Sequence, residues 1–306
     1  MSIEAYRCDY ARGDDGTRIF WQAFGRVDAG TPTLVCCDGI GCDGYAWKYL
    51  IKDFAGTHRI VHWQYRGHGR SDPPADLRRV TFDDLCGDLS AVLRAAGVER
   101  SIVMGHSMGV QVALEYHRRH TEAVDGLVLL CGSHGRPLDT FKDGKGGANA
   151  IFPWMLAGAS AFPDAARRVW QALIASEAAF QAAIRLELNA DFIRRDDFWP
   201  YLQHLANMDP RVFLGILRWA STHSAYDHLP NVRVPTLIVA GERDSFTPAH
   251  LSKAMHGRIP GSELLLIPAA THTAPIEMPE LISLRFEKWL RTHFKPESKT
   301  PTAAIA

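Results

Sequence analysis

The sequence has no excess of charge of either sign, no long apolar run and no paired-cysteine motif. Lys and Arg together number 34, as do Asp and Glu. A nucleic-acid-binding surface shows itself as a basic excess, so no nucleic-acid partner is expected. The longest apolar stretches, such as Leu127-Val128-Leu129-Leu130-Cys131 and Leu264-Leu265-Leu266-Ile267, fall far short of the ~20 residues a membrane span requires, and no transmembrane segment is expected. Residues 1–7 carry no apolar core behind a basic flank, so no secretory leader is read and the expected location is cytoplasmic. Of six cysteines, Cys36 and Cys37 are adjacent and Cys8, Cys42, Cys86 and Cys131 are scattered, with no C-x-x-C pair. That excludes a disulfide framework or zinc knuckle and leaves buried thiols acting as small hydrophobes. None of the 14 histidines joins an H-E-x-x-H or similar pair on a helix beside a third ligand. Neither a metal nor any other cofactor is expected.

What is present is an alternation of strands and helices. Residues 6–10 and 18–24 read as strands around Asp14-Asp15-Gly16, and Asp-Gly between apolar runs signals a hairpin. From Thr33 onward, strands at 33–37, 59–63, 101–104 and 124–131 alternate with helices at 45–54, 81–96 and 109–120. Thr81 and Asp84 make a capping-box-like start to the second of these helices. Short, continuously apolar strands between amphipathic helices specify a mostly parallel sheet covered on both faces. The alternation stops over 133–231, which holds no convincing strand and is rich in Ala, Phe, Trp, Leu and Met. There, residues 164–175 put Val169, Trp170, Leu173 and Ile174 on one helical face, and Pro210 opens a helix through Val212, Phe213, Ile216, Leu217 and Trp219. Residues 142–150 form a Gly-rich run suited to a flexible entry loop. The α/β rhythm resumes with strands at 235–240 and 263–267 and helices at 248–259 and 279–294. Residues 295–306 read as a disordered polar tail.

The densest chemical signal is Met104-Gly105-His106-Ser107-Met108-Gly109. By itself G-x-S-x-G is weak, but here it directly follows an apolar strand and directly precedes a helix. A tight strand-to-helix turn lifts the Ser107 hydroxyl above the carboxyl edge of the sheet, and the flanking Gly105 and Gly109 relieve backbone crowding. A serine hydroxyl is nearly inert at neutral pH and needs a base and an orienting acid. Asp244 follows the strand at 235–240 and His272 follows the strand at 263–267. Both therefore lie at the edge where open α/β sheets assemble their sites. The order Ser107, Asp244, His272 suits an elbow-type triad, with Glu242 as the nearest substitute acid. Oxyanion donors are expected from the backbone N–H of Met108 and of Ile40, the latter in the loop after the strand at 33–37.

Together with Arg66-Gly67-His68-Gly69-Arg70-Ser71-Asp72, the stretch 234–244, and His272 with Glu277 and Pro279, these motifs make the sequence similar to the α/β-hydrolase superfamily over nearly its whole length. The resemblance implies a mostly parallel central sheet of about eight strands with an N-terminal hairpin and helices on both faces. It also implies a core formed by residues 1–132 and 232–294 and an inserted helical cap at 133–231. The implied activity is that of a serine hydrolase with no cofactor. Two positions depart from the family pattern. Asp38-Gly39 stands where His-Gly is usual, and Gln64 where many members carry an acid. A carboxylate at 38 opposes an oxyanion unless it is paired, with Arg66 or His106, or bound by local N–H groups, the favoured reading.

Gly39-Ile40-Gly41-Cys42-Asp43-Gly44 also matches a dinucleotide-binding G-x-G-x-x-G. The next strand, however, ends in Trp63-Gln64-Tyr65-Arg66 with no acid for a ribose, and an NADP-dependent oxidoreductase leaves Ser107, Asp244 and His272 unexplained. Epoxide hydrolases and haloalkane dehalogenases require Asp at position 107. The apolar insertion contributes Phe152, Trp154, Phe162, Trp170, Phe180, Phe192, Phe198, Trp199, Tyr201, Phe213 and Trp219. Most of these are expected to pack its own core and some to wall a substrate pocket. The expected substrate is a hydrophobic carboxylic ester, including lipid-like ones, cleaved by esterase- or lipase-like chemistry. Thioesters, lactones, C–C bonds, lyase chemistry and a non-catalytic small-molecule receptor are left as alternatives. The sequence does not determine the oligomeric state.

Overall fold

A computed structural model of the chain describes residues 4–25, 30–140, 148–186 and 188–294. It opens with an antiparallel hairpin of β1 (Arg7–Arg12) and β2 (Arg18–Phe24) around Asp14-Asp15-Gly16. β3 (Thr33–Cys37), α1 (Lys48–Phe54) and β4 (Ile60–Trp63) follow. The helix expected over 45–54 begins instead as a 3₁₀ turn, Tyr45–Trp47, entered from Gly44 at φ 105° with no side-chain cap. α2 (Phe82–Ala96) starts at Thr81, whose side chain accepts from the Asp84 N–H while the Asp84 carboxylate accepts from the Thr81 N–H. This reciprocal box satisfies two backbone donors at the helix start. β5 (Ser101–His106), α3 (Met108–Arg119) and β6 (Val124–Leu130) complete the first half.

Between β6 and the next strand lie α4 (Pro137–Thr140), α5 (Ala148–Ala161), α6 (Pro163–Ile174), α7 (Glu177–Leu186), α8 (Arg195–Asn207) and α9 (Pro210–Thr222). β7 (Thr236–Gly241), α10 (Ala249–Arg258), β8 (Glu263–Ile267), α11 (Ala274–Glu277) and α12 (Pro279–His293) close the chain. The eight strands form one sheet in the order β1-β2-β4-β3-β5-β6-β7-β8, antiparallel through β1, β2 and β4 and parallel beyond. From β3 the chain steps outward to β4 and then back across to β5. The loops after β3 and β5 therefore diverge at the switch point where α/β sheets place their ligands.

Alternate strand residues feed two cores. Val103, Leu127 and Leu129 pack with Leu85, Leu89 and Val92 of α2 and Val112 of α3, whereas Ile102, Met104, Val128 and Leu130 pack with Phe54 of α1 and Phe286 and Trp289 of α12. Burial on both faces explains why these strands are apolar without a gap. Cys36, Cys37, Cys42, Cys86 and Cys131 are buried free thiols, and Cys8 is exposed. No helix among the described residues is long and apolar enough to cross a membrane.

The α4–α9 segment differs from its sequence reading in one respect. Trp170 and Ile174 turn inward, the indole N–H donating to Leu205 O at 2.7 Å, but Val169 and Leu173 are 58% and 62% exposed. A surface helix such as α6, which packs on α5, α7, α8 and α9, buries a stripe about 100° wide, and positions 169 and 173 fall outside it. Phe180, Phe198, Trp199 and Tyr201 form a local aromatic cluster, while Trp154 and Phe162 are exposed. Buried Asp197 of α8 ties this segment to α1 through the Lys48 ammonium and the Tyr49 hydroxyl. Of the expected Gly-rich entry loop, 142–147 lie outside the described residues and 148–150 begin α5; the expected tail, 295–306, also lies outside them.

Candidate active site

Ser107 occupies the turn between β5 and α3 at φ 56° and ψ −120°, a backbone conformation that L-residues rarely adopt,. Two glycines make the turn sterically feasible. A Cβ on Gly105 would lie 2.3 Å from the Gly109 carbonyl oxygen, and one on Gly109 would lie 2.0 Å from the Cys37 carbonyl oxygen. Thus α3 can rest directly against the end of β3 and present Ser107 at the sheet edge.

The loops after β7 and β8 bring Asp244 and His272 to the same point. Ser107 Oγ lies 2.9 Å from His272 Nε2, and His272 Nδ1 lies 2.9 Å from Asp244 Oδ2. The hydroxyl donates to Nε2 and the Nδ1 proton goes to the carboxylate. Asp244 is buried and also accepts from the backbone N–H groups of Phe246 and Thr247 and from the Thr247 hydroxyl. Glu242, the alternative acid, points to solvent. The Phe246 ring packs on the His272 imidazole with centroids 5.0 Å apart. Glu277 holds the backbone on either side of His272: its carboxylate accepts from the Thr271 N–H and hydroxyl, the Thr273 hydroxyl and the Asn189 N–H. The sequence did not disclose these contacts of Thr247 and Phe246, which lie between the strand at 235–240 and the helix expected at 248–259.

His106 is fully enclosed. Its Nε2–H donates to the His272 carbonyl at 3.1 Å, and its Nδ1 has no partner among the described residues. Burial, aided by the neighbouring His272, pulls its pKa down to about 4. It is therefore neutral at pH 7 and serves as a strut under His272.

Ile40 and Met108 line one cavity with Ser107. Met108 is the first residue of α3, where a backbone N–H has no intrahelical acceptor,. In the loop after β3, the Gly41 N–H donates to His68 Nε2 at 3.0 Å, which anchors the loop that carries Ile40. His68 accepts here because it is neutral: burial lowers its pKa to about 4, and its Nδ1–H donates to the Arg66 carbonyl.

Asp38 requires a correction. It pairs with neither Arg66 nor His106, nor with local N–H groups. Its two oxygens accept from Trp47 Nε1 and His62 Nε2, each at 2.8 Å, and Tyr65 donates to its carbonyl at 2.7 Å. Arg66 instead forks onto Asp88, with both bonds 2.7 Å long, and reaches Asp15 in the hairpin turn. His62 and Trp47 meet Asp38 only because β4 pairs with β3 and the 3₁₀ turn folds back. Spacing along the chain carries no trace of that. The carboxylate is thereby held in the protein interior. Gln64, the second departure, accepts from the Arg70 N–H at 2.7 Å and braces the 66–72 turn.

The cavity measures about 260 Å³ and is walled by Ile40, Met108, Pro137, Leu138, Phe213, Leu217 and Phe246, with Ser107, Gln111, Ser133 and Thr247 as its polar members. Phe213 is thus the one aromatic of α4–α9 among its lining residues. A small apolar chamber lined by the hydroxyl of a hydroxyl–imidazole–carboxylate relay is suited to proton-coupled attack on a carbonyl.

Known proteins resemble the chain in the same terms. Epoxide hydrolase 3 of Xenopus tropicalis is 30% identical over 121 residues, which are 40% of this chain and span only 32% of that enzyme's length. An uncharacterized hydrolase of Bacillus subtilis, YugF, is 22% identical over 274 residues, 88% of this chain and 93% of the relative. The crystal structure of an esterase from Rhodococcus sp. ECU1013 superposes with a TM-score of 0.73 at 26% identity, covering 96% of this chain and all of the esterase. A family profile described as the alpha/beta hydrolase fold matches residues 32–279, and the chain belongs to that family.

Proposed function

We propose that the protein is a serine hydrolase that cleaves hydrophobic carboxylic esters through an acyl-enzyme. The observation that carries this reading is the continuous relay Ser107 Oγ, His272 Nε2, His272 Nδ1, Asp244 Oδ2, with both contacts at 2.9 Å. Ser107 attacks the ester carbonyl while His272 takes its proton. Asp244 fixes the ring tautomer and stabilises the imidazolium. The oxyanion that forms is met by the N–H groups of Ile40 and Met108. His272 then protonates the leaving alkoxide, and water, activated by the same imidazole, releases the acid. A serine at the elbow favours acyl transfer over ring opening by a carboxylate, and the apolar chamber and the similar Rhodococcus esterase favour an ester. In this reading residues 133–231 are a cap over a core of 1–132 and 232–294, and Pro137, Leu138, Phe213 and Leu217 are the cap's share of the chamber wall.

A p-nitrophenyl ester series of rising acyl length, combined with a fluorophosphonate label mapped to its residue, tests the reading. Short to medium chains turn over, the label lands on Ser107, and Ser107→Ala abolishes both while folding normally. Asp244→Asn lowers kcat by about 10⁴ through the wrong His272 tautomer. A label on another residue, or turnover surviving in Ser107→Ala, overturns it.

A further inference from the structure

The helix that carries Ser107 also carries polar groups that ester cleavage does not use. Ser107, the N-cap of α3, is followed within the helix by Gln111 and Glu115 at four-residue spacing,. Gln111 is 1% exposed and lines the cavity beside Ser107. Its amide nitrogen lies 3.0 Å from the Ala220 carbonyl and 3.1 Å from His223 Nδ1. A carbonyl only accepts, which fixes the orientation of the amide. His223 Nδ1 must then accept as well, so the ring proton is on Nε2 and is donated to Glu115 Oε2 at 3.2 Å. Arg119 binds the other oxygen of Glu115 at 2.8 Å. Both amide hydrogens are spent, and no donor among the described residues reaches Gln111 Oε1. The other polar members of the wall are occupied: Ser133 Oγ bonds Gly135, and Thr247 Oγ1 bonds Asp244. Gln111 Oε1 is not one of the fully enclosed polar atoms left without a partner, so it keeps some exposure where the residue lines the cavity, and a ligand that brings a donor there gains a hydrogen bond in apolar surroundings.

We propose that Gln111 Oε1 reads the substrate by accepting a hydrogen bond from a hydroxyl or N–H on its acyl chain, so that the preferred esters are short, apolar and carry one such donor. The proposal rests on the serine-hydrolase reading for the reaction but not for the binding. One helical turn separates Gln111 from Ser107 by about 6 Å along the axis. Allowing about 3 Å for the hydrogen bond, the donor belongs about three bonds from the ester carbonyl.

Three p-nitrophenyl esters test this: hexanoate, 3-hydroxyhexanoate as separate enantiomers, and 3-methoxyhexanoate, each rate normalised to its hydroxide-catalysed hydrolysis. In the wild-type enzyme one hydroxy enantiomer exceeds hexanoate in kcat/KM by roughly tenfold, and the methoxy ester, an acceptor without a donor, falls below hexanoate. In Gln111→Met the hydroxy-to-alkyl ratio drops to about one. Equal, measurable rates for the three esters in the wild type overturn the proposal, whatever the variant does. Binding separates it from the catalytic reading: calorimetry on Ser107→Ala with methyl hexanoate and methyl 3-hydroxyhexanoate shows the same preference. Equal affinities there reject the role of Gln111. A retained binding preference without wild-type turnover rejects the serine chemistry alone.

Discussion

Ser107 is held at φ 56° by its neighbours, and a non-glycine residue in such a conformation stores on the order of 1–3 kcal/mol,. Removing the hydroxyl in two ways separates chemistry from strain. Ser107→Ala keeps the Cβ and the strain, and Ser107→Gly loses both. The glycine variant is expected to be the more stable of the two by about 1 kcal/mol, after its larger unfolded-state entropy is subtracted, and both are inactive on esters. A urea midpoint for the glycine variant below that of the alanine variant would show that the elbow is relaxed. The three residues of the hydrogen-bonded relay were legible in the sequence because each follows a strand, and strand ends in a parallel sheet share one edge. Their supports were not. The Asp38 carboxylate between Trp47 and His62, and Gln111 wedged against Ala220, are pairings made by separate segments of the chain. Nothing in the local residue pattern distinguishes such a polar side chain from a solvated one.

Helices and strands were legible wherever burial is two-sided, since an unbroken apolar strand and a capped amphipathic helix each leave a local signature. The reading weakened in α5, where alanine and apolar residues occur on all sides and periodicity selects no face. In α6 the periodicity does select a face, but Val169 and Leu173 lie to one side of the Trp170–Ile174 stripe and stay exposed. The packing of α3 on β3 gives a sharper test, because it depends on one missing methyl group. Gly109→Ala drives a Cβ to 2.0 Å from the Cys37 carbonyl, backbone against backbone, so the helix must lift from the strand. A loss of more than about 3 kcal/mol is expected, at the severe end for overpacking, with the oxyanion loop displaced along with it. Gly87 in the exposed middle of α2 has nothing within 4 Å of its would-be Cβ, and Gly87→Ala is expected to stabilise by about 0.5–1 kcal/mol. Urea titration of the pair checks both signs, and a harmless Gly109→Ala would mean that α3 and β3 do not meet as described.

The whole molecule encloses histidines on both faces of its sheet, and this makes its stability depend on pH in a definite direction. Burial lowers His68, His106 and His117 to about 4, with His272 adding to the effect at His106 and His228 at His117. In the unfolded chain each takes up a proton below about pH 6.5, whereas in the fold each stays neutral until about pH 4. Between those limits the unfolded state binds more protons, so stability rises with pH and is lost on acidification. Each group contributes about 1.4 kcal/mol per pH unit, and three together about 4 at the steepest. Against a net stability of about 5–15 kcal/mol, unfolding is expected between about pH 4 and 5. Glu115 acts in a lower window. Burial would raise it, but hydrogen bonds from His223 and Arg119 and the charge of Arg118 hold it at about 2, so its contribution is complete above about pH 4.5 and lost only below that,. Urea unfolding free energies at pH 8, 7, 6 and 5 should therefore be level above pH 7 and fall steeply below pH 6. His117→Gln should flatten the fall by about one proton, because Gln keeps a polar partner for His228 without the titration. Stability that stays constant from pH 7 to pH 5 would mean these imidazoles protonate inside the fold. His68 could then no longer accept from the Gly41 N–H, and the loop that carries Ile40 would lose that anchor.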